Sequence, residues 1–388
     1  MHAENAKPLS QITVLDMTVN VPGPFCSTIL CDLGARVIKV EPPGGDPLRH
    51  SRGIWDSINR GKDSIVLDLK TEGGQRVLHR LTKKTDIVLE GWRPGVASRL
   101  AASYDILSEI NQSLVYCSIS GFGQTGPWRE RSGHDVNYLA LSGYMGLQSS
   151  IEGRPWPPAV LFSDLVSGLY AAITTLASVA GRGATGKGAY IDLSMTDAAL
   201  SLLGLEVGRM TDPAESKLSP NVTFIPHYGL FQCADDRWLS LGIVHENHFW
   251  DRFCLVAGLD SFSGMDFDHR LRKAESIKSE LEEVFRTRTS TEWECVLVEA
   301  DIPASIVIEL DDIFEIEQFR HREIFNYIGG QTFLGQPARF STGRMGPTKT
   351  SPRLGEQTHL LLSELDYTPE EVDKLTKDKV FGLSEDTL

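Results

Sequence analysis

Asp164 lies in the run Ala159–Val166, where Val160, Leu161, Phe162, Leu165 and Val166 surround it with apolar neighbours. A carboxylate in such a setting is half-buried, and burying a charge is costly unless the group is paired or put to use. On the residues alone it reads equally as a helix cap and as a catalytic group. His134-Asp135 stands between the charged run Arg129-Glu130-Arg131 and an apolar helical segment. A carboxylate in a first helical turn favours the helix dipole and can also hold an imidazole, so this pair too reads as a cap or as acid–base machinery.

Two other constellations invite chemistry and fail on context. Gly121-Phe122-Gly123-Gln124-Thr125-Gly126 has the GxGxxG spacing of a dinucleotide loop and follows a strand. Pro127, Trp128 and the charged run come next, where a dinucleotide fingerprint wants an apolar helix, and no acidic residue closes a strand about 20 positions on. A glycine loop that shapes a pocket fits better. His245-Glu246-Asn247-His248 puts two imidazoles and a carboxylate within four residues, but at i,i+3 rather than in the HExxH arrangement, and no third ligand is evident. No metal site is expected.

The elements that must position these residues follow from periodicity. Strands are predicted at Ile12–Thr18, Arg36–Glu41, Ser64–Leu69, Asp86–Trp92, Leu114–Ser120 and Tyr190–Met195. Helices are predicted at Pro22–Leu33, about Thr71–Lys84, Asp135–Leu147, Val160–Val179 and Thr196–Met210. This alternation predicts an α/β fold with a doubly wound parallel sheet. Thr211–Pro226, rich in Pro, Ser and Asn, reads as a linker. Beyond it a hairpin, Tyr228–Cys233 with Arg237–Gly242, and three helices predict a smaller α+β unit.

The 388 residues suit two domains. The formal charge of −14 argues against nucleic acid as a partner. The six cysteines form no CxxC pair and read as free thiols of a reducing compartment. With no apolar stretch of about 18 residues and no apolar N-terminal run, the expectation is a cytoplasmic protein without membrane contact.

Ser120–Gly126, followed by Gly133-His134-Asp135-Val136-Asn137-Tyr138-Leu139-Ala140-Leu141-Ser142-Gly143, resembles the class III CoA-transferase family of the CaiB/BaiF type, and within it the α-methylacyl-CoA racemases. Pro22-Gly23-Pro24-Phe25, Leu33–Glu41, Ser64–Lys70, Thr185–Gly188 and Leu354-Gly355-Glu356-Gln357-Thr358 extend the resemblance over about the whole chain. It implies a large Rossmann-like CoA-binding domain from residues 1–210 and 326–388, with a linker at 211–226. Residues 227–325 would form the small domain, and two chains would interlock as a homodimer. No cofactor is bound permanently; coenzyme A enters as part of the acyl-CoA substrate.

The resemblance also implies roles. His134, Asp164 and Glu246 match the acid–base positions, although His245 could fill the glutamate's place, and Asp135 and Tyr138 support them. Contacts to CoA are implied at Val37, Lys39, Leu69, Lys70, Arg93, Arg99 and Leu100. A thioester acidifies its α-carbon, yet removing that proton needs a placed base and a stabilised enolate. His134, tuned by Glu246, would serve one face of the carbon and Asp164 the other. The helix start at Asp135-Val136 would give N–H groups to the enolate. In the family's transferases the aspartate instead attacks an acyl-CoA as a nucleophile. That route needs no His134, and many transferases carry a glycine-rich small-domain loop, where Thr211–Leu241 here has Gly229 and little else. A CoA-binding relative without chemistry is the remaining alternative.

Overall fold

The computed structural model describes residues 7–212 and 225–382. Six parallel strands form one sheet: β1 (Thr13–Met17), β2 (Arg36–Glu41), β3 (Asp63–Val66), β4 (Ile87–Glu90), β5 (Val115–Ser120) and β6 (Ala189–Ser194). Their order is β3-β2-β1-β4-β5-β6. β4 and β5 are buried along their whole length, as strands covered on both faces must be, whereas the edge strand β6 alternates. The predicted α/β architecture is the observed one. β3 ends three residues before the expected Leu69. There the chain leaves the ladder, because the Asp68 N–H turns away to donate to Val380 O at 2.7 Å.

The helices around this sheet are α1 (Pro22–Asp32), α2 (Arg52–Asn59), α3 (Glu72–Thr82), α4 (Val96–Arg99), α5 (Tyr104–Ile110), α6 (Asp135–Leu141), α7 (Tyr144–Glu152), α8 (Phe162–Thr185), α9 (Met195–Ser201) and α10 (Gly204–Thr211). Two segments predicted as single helices are each broken in two. Gly143, at φ +90°, adopts a conformation that other residues resist, and it separates α6 from α7. Leu202 and Leu203 separate α9 from α10.

The expectation of no membrane-length apolar segment is corrected. α8 has 24 residues and is apolar enough to span a bilayer by length and composition. Its Ser, Thr, Gly and Ala residues hid this from a reading for large apolar side chains. One face of α8 is committed to packing on α1, with Ser163, Val166, Ser167, Gly168, Ala171, Ala172 and Thr175 buried.

The chain divides into two compact units, Met1–Val207 with His321–Leu388, and Gly208–Arg320. Within the first, Leu361, Leu362, Leu375, Val380 and Phe381 join the core that covers β1–β3. In the second, β7 (Tyr228–Gln232), β8 (Trp238–Gly242) and β9 (Ala304–Ile306) form an antiparallel sheet. Its core gathers Trp250, Phe253, Phe285 and Trp293. Most of the predicted linker at Thr211–Pro226 lies outside the described residues.

Gly168 sets how closely α8 can approach α1. A Cβ there would stand 2.7 Å from Pro22 O and 2.8 Å from Phe25 Cδ1. Gly168→Val is expected to lose about 1–3 kcal/mol, the range for forcing methyl groups into a filled core. A lower urea midpoint at unchanged slope checks this.

Candidate active site

Strand order reverses between β1 and β4, and open α/β sheets take ligands in the crevice outside the strand ends at such a point. A cavity of about 420 Å³ lies there. Its walls are Thr18–Asn20 and Pro22-Gly23 after β1, Gly91–Pro94 after β4, Ile119–Gly121 at the end of β5, and Arg129, Arg131–His134, Asn137, Tyr138, Asp164 and Met195.

The wall after β1 is held from below by a buried charge cluster. The Asp16 carboxylate, wholly buried, accepts from Thr18 N at 3.0 Å, Ser27 Oγ at 2.6 Å and Lys62 Nζ at 3.0 Å, with Lys39 Nζ at 3.7 Å. Burial alone would raise its pKa, but the Lys39 and Lys62 ammonium groups hold it well below the usual carboxylate range. The same lysines donate to the backbone at Thr18 O and Pro24 O.

On the opposite wall, His134 immediately precedes α6, and its N–H donates to Asn137 Oδ1 at 3.0 Å. Asp135 opens the helix, and its Oδ1 accepts from Asp164 N at 3.1 Å, which ties the start of α8 to the start of α6. Burial and then the neighbouring Asp135 charge push the Asp164 carboxyl up to about 7. Tyr138 donates from its hydroxyl to Gly133 O at 2.6 Å. Its ring explains two glycines, since a Cβ on Gly121 or Gly133 would stand 2.6 Å from it.

The glycine loop is structural, as its context suggested. Gly123 and Gly126 adopt φ +82° and +86°, and the Gln124 N–H is taken by the Asp192 carboxylate at 2.9 Å. A loop whose N–H already serves a carboxylate is poorly placed to cradle a pyrophosphate.

Of the implied CoA contacts, only Arg93 lines this cavity, where it donates to Ser132 Oγ at 2.8 Å. The expectation that the Lys39 side chain contacts CoA is corrected, because its Nζ is wholly buried among Asp16, Asp46 and Thr18 O. The side chains of Val37 and Leu69 are likewise sealed in the core. Lys70 and Arg99 are exposed, and Leu100 packs partly against the core. Glu246 belongs to the second compact unit, directly before α11 (Asn247–Ala257). It accepts from Val244 N at 2.9 Å, and backbone N–H groups lower its pKa.

Sequence reasoning missed Asp16, Lys62 and Glu90. The argument applied to Asp164, a charge inside an apolar run, would have found Asp16 in Thr13–Met17 and Glu90 at the end of Ile87–Glu90. Glu90 is 3% exposed and accepts from Trp92 N at 2.7 Å, and burial pushes it up to about 7.

The strand order and the cavity at the reversal define a doubly wound α/β protein whose ligand site carries an imidazole and a protonatable carboxyl. The sequence profile of CoA-transferase family III matches residues 9–358, and the chain belongs to that family. It is similar to an acetyl-CoA:oxalate CoA-transferase from Acetobacter aceti, 32% identical over 92% of this chain and 95% of the relative. An α-methylacyl-CoA racemase from Homo sapiens is 31% identical over 96% and 97%. The crystal structure of a CAIB/BAIF family protein from Brucella suis superposes with a TM-score of 0.82 at 28% identity, covering 92% of this chain and 99% of that one. The chain is thus an enzyme of the family that holds both transferases and racemases.

Asp164 sets a pH signature. Its pKa rises from 3.8 to about 7 in the folded chain. The unfolded chain therefore ionises first, and stability falls as pH rises from about 4 to about 7, then stays reduced above that. Asp164→Asn removes the penalty. The variant should melt within a degree of the wild type near pH 3.5 and a few degrees above it near pH 8, measured by scanning calorimetry.

Proposed function

We propose that this enzyme inverts the α-carbon of a 2-methyl-branched acyl-CoA thioester, by deprotonation to an enolate and reprotonation from the opposite face. The observation that supports this is the pairing of His134 with Asp164 on one cavity, the carboxyl raised to about 7. A group with that pKa can give and take a proton at neutral pH, which is what each direction of a racemisation asks of it. His134 serves the other face as base. The first-turn N–H groups at Asp135 and Val136 are the donors assigned to the enolate oxygen. Arg93 is a cation on the cavity wall suited to a CoA phosphate.

The second reading has Asp164, when ionised, attack the thioester carbonyl and move CoA to a free carboxylic acid. It is favoured by the transferases among the relatives, which include a succinyl-CoA:glutarate CoA-transferase from Mus musculus. In deuterated water, with a 2-methylacyl-CoA and no acceptor acid, the expected result is deuterium at the α-carbon with loss of optical purity. His134→Ala should slow this by about 10²–10⁴-fold. No exchange, with CoA transfer once an acid is added, would move the assignment to the nucleophilic route.

The interlocked homodimer is part of this proposal. It is supported by apolar side chains left uncovered on α8, Leu169 and Ile173, and on α9–α10, where Leu200 and Leu202 accompany Leu205 at 83% exposure. Sedimentation velocity should give twice the chain mass. A monomer at micromolar concentration would remove the dimer from the reading.

A further inference from the structure

The hydroxyl side chains on the cavity wall are Thr18, Ser120, Ser132 and Tyr138, and all but one are engaged within the chain. Thr18 Oγ1 donates to the Asp16 carboxylate, the Tyr138 hydroxyl donates to Gly133 O, and Ser132 Oγ accepts from Arg93. Ser120 differs. It closes β5 and is 9% exposed, and its Oγ has no hydrogen-bond partner among the described residues. A buried hydroxyl left unpaired costs free energy, and on a cavity wall a ligand can offset that cost.

Its neighbours tie Ser120 to both acid–base groups. Gly121, the next residue, lies under the Tyr138 ring, whose hydroxyl holds Gly133 beside His134. Across the ladder Ser120 pairs with Ser194, and the following Met195 O accepts from Ser163 Oγ at 3.4 Å, one residue before Asp164. Ser120 therefore stands between the supports of His134 and those of Asp164. A thioester whose α-carbon is held between these two groups has its carbonyl one bond away. That oxygen gathers charge as the α-proton leaves, and equally when a carboxylate attacks the carbonyl carbon.

We propose that the Ser120 hydroxyl donates a hydrogen bond to the thioester carbonyl oxygen and stabilises the oxyanion that forms there. This rests on the reading of the cavity as the site where a CoA thioester reacts. Ser120 keeps its proton throughout, and no covalent bond forms or breaks at its Oγ. The bond strengthens as charge builds on the acceptor, so it favours the transition state over the bound substrate. Acceptance of a pantetheine amide N–H is the competing use of the same hydroxyl, and the experiment separates the two.

Infrared difference spectra of bound 2-methylbutanoyl-CoA, isotope-labelled at the thioester carbonyl carbon, read the bond directly. The labelled band should lie at lower wavenumber in the wild type than in Ser120→Ala. Ser120→Thr, which keeps the hydroxyl, should restore the shift. In deuterated water Ser120→Ala should slow α-proton exchange by about 10²–10³-fold, with affinity for free CoA within about twofold of the wild type. It should melt no lower than the wild type, because the hydroxyl it loses has no partner in the fold. An identical carbonyl band in wild type and Ser120→Ala would overturn the proposal. So would a loss of free CoA affinity equal to the loss of rate, because the hydroxyl would then be serving the pantetheine arm. A lower melting temperature, with Ser120→Thr as slow as Ser120→Ala, would assign Ser120 to the fold alone and also overturn it. The parent reading fails separately. A wild type that transfers CoA without α-proton exchange would refute the racemisation, and a band shift with slower transfer in Ser120→Ala would still support the oxyanion donor. No binding of the thioester or of free CoA would refute both.

Discussion

The site depends on one buried carboxylate. Asp16 lies one residue before the end of the central strand β1, and it is kept ionised in the core by Lys39 and Lys62, themselves wholly buried. Removing one partner from such a cluster leaves an uncompensated charge in a low dielectric, a loss of about 3–5 kcal/mol in comparable cases. The cluster also fixes geometry. Its hydrogen bonds to Thr18 N and Ser27 Oγ, and the lysine bonds to Thr18 O and Pro24 O, leave the chain one path from β1 into α1. That path is the cavity wall. A hydrophobic cluster could fill the same space but could not fix the backbone carbonyls, since apolar contacts have no direction.

The second wall obeys a different constraint, close approach. Tyr138 lies over Gly121 and Gly133, so the end of β5 and the loop before α6 are drawn against one phenol. The Asp135 carboxylate then reaches the start of α8 through Asp164 N. Asp164 is thereby placed beside a like charge and away from bulk water. The bond that positions the carboxyl brings in the charge that raises its pKa.

Much of this was legible in the chain. Strand and helix alternation specified the sheet, and β2 has the expected limits because Arg36–Glu41 carries the β-branched residues Val37, Ile38 and Val40 between two turns. Asp164 stood out because its local surroundings are apolar. Lys39 shows where local reading stops. Its neighbours in sequence suggest a strand residue free to meet a phosphate, while its partners Asp16 and Asp46 come from other segments. Lys62 escaped for the same reason. Breaks such as Gly143 were blurred because glycine is tolerated inside helices, and only its positive φ marks the interruption.

The family's two chemistries need not call for two sites. A carboxyl raised to about 7 is divided between acid and carboxylate at neutral pH. The acid can protonate an enolate, and the carboxylate can attack a thioester carbonyl. Which of these dominates depends on what else competes for the substrate. An imidazole on the same cavity offers a path through the α-proton that avoids forming and breaking an anhydride. Substrate orientation, more than the identity of the acid, is then what separates proton transfer from acyl transfer in this cavity.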